Sequence, residues 1–64
     1  MNAKQFNAAL AQLGITSHRK AATILGLGRS TIIRYAHGRT MVPEPVVRLL
    51  DMLTRYGIPR EYTL

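Results

Sequence analysis

Cysteine is absent from this 64-residue chain, so neither a disulfide nor a thiolate metal site helps to hold it together. A single small core must do that by packing, and one domain over residues 1–64 is expected. Long apolar runs are also missing. None approaches the roughly 18 residues of a membrane span, and Met1-Asn2-Ala3-Lys4 is not followed by the continuous apolar stretch of a signal peptide. A cytoplasmic protein with no membrane partner is expected. Acidic residues are scarce, three against nine lysines and arginines, for a formal net charge of +6.

The scarcity is local. Lys4, Arg19, Lys20, Arg29, Arg34 and Arg39 precede Pro43 without one Asp or Glu, whereas Arg48, Arg55 and Arg60 are matched by Glu44, Asp51 and Glu61. A one-sided excess of this kind marks a polyanion-facing region beside an electrically balanced one, and nucleic acid is the first candidate.

Hydrophobic spacing predicts helices and no strand. Phe6, Leu10 and Leu13 recur at helical spacing before Gly14, giving a helix at about residues 3–13. Ser17 is a good N-cap for a second helix running to about Leu25, with Ala21, Ala22, Ile24 and Leu25 partly buried and the alanines permitting close approach. Gly26-Leu27-Gly28 breaks it. A third helix, Arg29 to His37, has only Gly28 as its cap and ends at Gly38. At about 100° per residue, Ile32, Tyr35 and Ala36 share one side, while Arg29, Ser30, Ile33, Arg34 and His37 fill an arc of about 140° on the other. Pro43-Glu44-Pro45 starts a fourth helix with an apolar stripe of Val46, Leu49, Leu50 and Leu53, ending near Tyr56-Gly57. The tail from Ile58 to Leu64 has no clear assignment. The fold class is therefore all-α, a compact bundle of about four short helices.

Two features bear on function. The second helix opens with His18-Arg19-Lys20, where unpaired N–H groups and the positive end of the dipole favour acids by about 0.3–1 kcal/mol each. The other is Ala22-Thr23-Ile24-Leu25-Gly26-Leu27-Gly28-Arg29-Ser30-Thr31-Ile32. A helix-turn-helix needs a small residue at the helix crossing, a glycine for the left-handed turn, an apolar plug after it and a buried β-branched residue in the second helix. Ala22, Gly26, Leu27 and Ile32 supply these in order.

Over roughly residues 4–56 the chain resembles the phage-repressor (Cro and lambda-repressor, or Xre-type) helix-turn-helix family. Its Arg19-Lys20-Ala21-Ala22 and Leu25-Gly26-Leu27 stretches are also similar to small anti-CRISPR-associated regulators of phages and mobile elements. The resemblance implies that the helix from Arg29 to His37 lies in the DNA major groove, with the helix from Ser17 crossing above the backbone. By the same resemblance Arg29 and Ser30, then Ile33 and Arg34 on the next outward turn, contact bases. Ser17, His18, Arg19, Lys20 and Thr31 are assigned to phosphate. A phosphate at the second helix would meet free N–H groups, the dipole and the basic side chains together, which gives the triplet a reason to be there. His37 and Arg39, flanking Gly38, are further candidates for phosphate, or are simply cations near a loop. Ile33 either meets a thymine methyl or packs at the edge of the core.

Three departures from the family matter. His18 stands where glutamine is common, which brings pH into the contact; Gly28 replaces a Ser or Thr cap, which weakens the start of the reading helix; and no full fifth helix follows Gly57, which leaves the dimer contact open. Leu49, Met52, Leu53 and Tyr56 are the candidates for that contact, with part of the set covering the core.

Catalysis is not expected, and with it no cofactor, metal or small-molecule substrate. Glu44, Asp51 and Glu61 lie on or after the last helix, the two histidines lack a partner at metal-ligand spacing, and Ser17 and Ser30 take the places of cap and reader. RNA recognition would want an aromatic stacking platform, which no part of the chain suggests. The expectation is a DNA-binding transcriptional regulator, a repressor of phage or mobile-element type, bound as a homodimer to an inverted-repeat double-stranded operator. The alternative is a protein-interaction or membrane-surface module, but its basic helix would carry a continuous apolar face with aromatic anchors.

Overall fold

A computed structural model describes residues 1–62; Thr63 and Leu64, the end of the tail and of the expected dimer segment, lie outside the described residues. Four α-helices follow in order, α1 (Ala3–Gln12), α2 (His18–Leu25), α3 (Arg29–His37) and α4 (Glu44–Tyr56), with a short 3-10 turn at Arg60–Tyr62. There is no strand among the described residues, and the bundle is all-α as its hydrophobic spacing predicts. None of its helices is long and apolar enough to cross a membrane among those residues.

Each helix begins and ends for a local reason. At α1 the Asn2 side chain accepts from the Gln5 N–H at 2.8 Å, and the Gln5 side chain accepts from the Asn2 N–H at 3.0 Å, a reciprocal capping box. The helix ends at Gln12, one residue inside the expected end, with Leu13 as its C-cap, and Gly14 turns the chain with φ of 75°. At α2 Ser17 Oγ accepts from the Lys20 N–H at 3.1 Å. Gly26 then ends the helix in the left-handed region, φ 69° and ψ 30°, where a side chain would be strained. The α3 start has no side-chain cap, as Gly28 requires, and α4 starts after Pro43 with Glu44 in its first turn.

α3 lies against both α1 and α2, and α4 packs on α1. The core collects Phe6 and Leu10 of α1, Ile15, Ala21, Ile24 and Leu25, Ile32 and Tyr35 of α3, Val42, and Val46, Leu50 and Leu53 of α4. Phe6, Ala21 and Ile32 are wholly buried. Of the paired alanines, Ala21 takes the tightest place between helices and Ala22 is half-buried. Tyr35 meets Phe6 edge to face, ring centres 5.5 Å apart, a geometry that contributes about 0.5–1.5 kcal/mol beyond area burial. With Ile32 and Tyr35 both inward, the register of α3 is fixed, and so is the face it turns out.

Candidate nucleic-acid interface

The outward face of α3 carries Arg29, Ser30, Ile33, Arg34 and His37, all exposed. Nine residues at about 1.5 Å each make a rod of about 13 Å, which spans the edges of about 4 base pairs of B-form DNA. Thr31 is half-buried beside this arc in the first turn.

The far end of α3 is tied down. The Asn7 amide donates to the Ala36 carbonyl at 3.0 Å, and Gly38, at φ 75°, passes so close to α1 that a Cβ there would lie 3.4 Å from that of Ala3. Arg39 follows, its N–H donating to the Arg34 carbonyl at 3.0 Å, with an exposed side chain. Val42 donates to the Met1 carbonyl at 3.3 Å, fastening the connection to the chain start. Asn7 escaped the sequence reading because its role depends on how α1 approaches α3. Met41, 69% exposed beside Arg39 and Thr40, was also not singled out.

The start of α2 makes a second cationic cluster. Arg19 and Lys20 are exposed, and His18 is half-buried. Ser17 occupies only the Lys20 N–H, so among the described residues the His18 and Arg19 N–H groups have no protein acceptor. Gly26–Gly28 joins this helix to α3, which brings both clusters onto one helix-turn-helix unit.

Among the described residues no acidic side chain pairs with Lys4, Arg19, Lys20, Arg29, Arg34 or Arg39. Ion pairs join Glu44 to Arg48 at 3.4 Å and Asp51 to Arg55 at 3.0 Å instead, both along α4. The guanidinium, ammonium and imidazole groups of α2 and α3 and the Ser30 hydroxyl are thus available hydrogen-bond donors, whereas the Thr23 hydroxyl of α2 donates to the Arg19 carbonyl at 3.2 Å. No group of three His, Cys, Asp or Glu suited to a metal ion occurs among the described residues.

The candidate dimer set divides. Leu53 is 8% exposed and belongs to the core, since it lies on the α4 side that meets α1, and it is not a surface residue. Leu49 is half-buried against the same core, while Met52 and Tyr56 are 56% and 81% exposed. Comparison with protein-family models, with curated proteins and with solved structures finds no match to this chain.

Proposed function

We propose that this chain is a sequence-specific double-stranded DNA-binding regulator, not an enzyme, and that it represses transcription by occupying a promoter. The observation that carries the reading is the outward face of α3: a helix without acids, of groove-filling size, exposing two arginines, a serine and a histidine beside the unpaired cations of α2. Arg29, Ser30, Ile33 and Arg34 contact base edges, and an arginine facing guanine O6 and N7 supplies bidentate readout. Ser17, His18, Arg19, Lys20, Thr31, His37 and Arg39 contact phosphate and hold the register.

A second copy completes the site. About 4 base pairs recur by chance every few hundred positions, too often for a useful operator, and two-fold pairing doubles both the readout and the contact energy. Pairing through the α2–α3 face would oppose like charges, whereas α4 is self-neutralised and exposes Met52 and Tyr56. Two reading helices about 34 Å apart then match an inverted repeat. A membrane-surface role is less favoured because the most exposed apolar side chains of the helices, Met52 and Tyr56, lie on α4, whereas the unpaired cations lie on α2 and α3.

The test is selection from a random duplex pool, followed by titration of the selected DNA, scrambled duplex, single-stranded RNA and anionic vesicles. Enrichment of one inverted repeat, bound more tightly than the rest, supports the reading. Equal binding to all four leaves only a non-specific cation and overturns it.

A further inference from the structure

We infer that Ile33 reads the 5-methyl group of a thymine, making thymine a fixed base in each half of the operator. The inference rests on the DNA-binding reading above and deepens it at one residue. Ile33 is 37% exposed, and its neighbour Ile32 is the one that fills the core, at 0%. It therefore does not sit at the surface for want of room in the register; α3 has one isoleucine for each side.

Single exposed apolar residues are ordinary and need no partner. The position of this one is what matters. On the helical wheel Ile33 lies between Arg29 and His37, one turn from each, on an arc whose other members all donate hydrogen bonds or carry charge. A helix laid in the groove along that arc cannot turn Ile33 away while Arg29, Ser30 and Arg34 stay on the bases. It needs an apolar feature to meet, since placing its branched surface against a base's polar edge would strip water from a donor or acceptor without replacing it. The DNA major groove offers one such feature, the thymine methyl. Ile33 thereby adds a thymine to the guanines expected for Arg29 and Arg34.

The experiment replaces each thymine of the selected operator in turn by deoxyuridine, which removes the methyl and leaves every hydrogen-bonding group in place. Wild-type protein is expected to lose about fourfold in affinity per half-site at one thymine and little at the others, the effect of exposing one methyl-sized group. Ile33→Ala, checked for helicity by circular dichroism, is expected to bind both forms equally, with Ile33→Val intermediate. Selected DNA whose thymines all tolerate deoxyuridine overturns the inference and leaves the DNA-binding reading intact. Discrimination that survives undiminished in Ile33→Ala also overturns it. Failure to select any sequence removes both readings together.

Discussion

α2 opens on His18, Arg19 and Lys20 with no acid in its first turn, whereas α4 opens on Glu44, closes on Arg55 and pairs Glu44 with Arg48 and Asp51 with Arg55 inside itself. Every charge of α4 follows what an isolated helix prefers: acid at the positive end of the dipole, base at the negative end, and opposite signs four residues apart. The start of α2 runs against the same preference. One sequence contains both arrangements, and under the proposed function a polyanion at α2 and α3 would be the reason for the difference.

The comparison breaks most severely at the exposed side of α4. If the balanced helix is balanced because it meets a second copy, Met52→Lys with Tyr56→Lys yields a folded monomer. Operator binding then falls by more than any single DNA-facing substitution produces, because a whole half-site is lost. Analytical ultracentrifugation and titration on full and half operators check this. A wild type that is monomeric both free and on DNA, and indifferent to deletion of one half-site, removes the dimer.

Much of this contrast is legible in the sequence. Ser17, Gly26, Gly38 and Pro43 mark helix ends by chemistry that acts within a turn, and the alternation of inward and outward residues on α3 follows from 3.6 residues per turn. Tyr35 falls inward on the same ground. Leu53 shows where the reading stops: a stripe says which α4 residues are apolar, but which of Leu49, Met52, Leu53 and Tyr56 are covered depends on the angle at which α4 meets α1. The Asn7 bond to the Ala36 carbonyl depends on the tertiary arrangement in the same way. The capping box of Asn2 and Gln5, by contrast, is local chemistry, an Asn followed three residues later by Gln.

Next in size is the division of labour within the basic region. Arg29→Ala or Arg34→Ala is expected to cost about 1–3 kcal/mol on the selected operator and to relax preference at one or two base positions. Repeating the selection with each variant reads the change directly. An unchanged preferred sequence in both variants would mean that a different helix occupies the groove.

A smaller and more uniform effect separates α2 from α4. Arg19→Ala and Lys20→Ala should each weaken specific and scrambled DNA alike and reduce the slope of log affinity against log salt by about 1. Arg48→Ala and Arg55→Ala, whose charges are already engaged along α4, should leave that slope where it is. Equal slopes for all four variants would erase the electrostatic distinction between the two regions.

The smallest expected effect is also the sharpest, because its sign differs between stability and binding. Arg19→Glu places an acid in the first turn of α2, where the dipole favours it, and should raise the stability of the free protein by about 0.3–1 kcal/mol. In a domain of this size that is a rise of a few degrees in Tm. The measurement belongs at low ionic strength, since Arg19 is exposed and salt screens the gain. The same substitution sets a carboxylate against the DNA backbone, so binding should weaken further than in Arg19→Ala. At α4 the signs separate differently: Glu44→Gln removes a favourable first-turn acid and the Arg48 partner, lowering stability by a few tenths of a kcal/mol with little change on DNA. If Arg19→Glu melts no higher than wild type while Glu44→Gln melts lower, the start of α2 is not held in an electrostatically unfavourable state, and its cations need no polyanion to account for them.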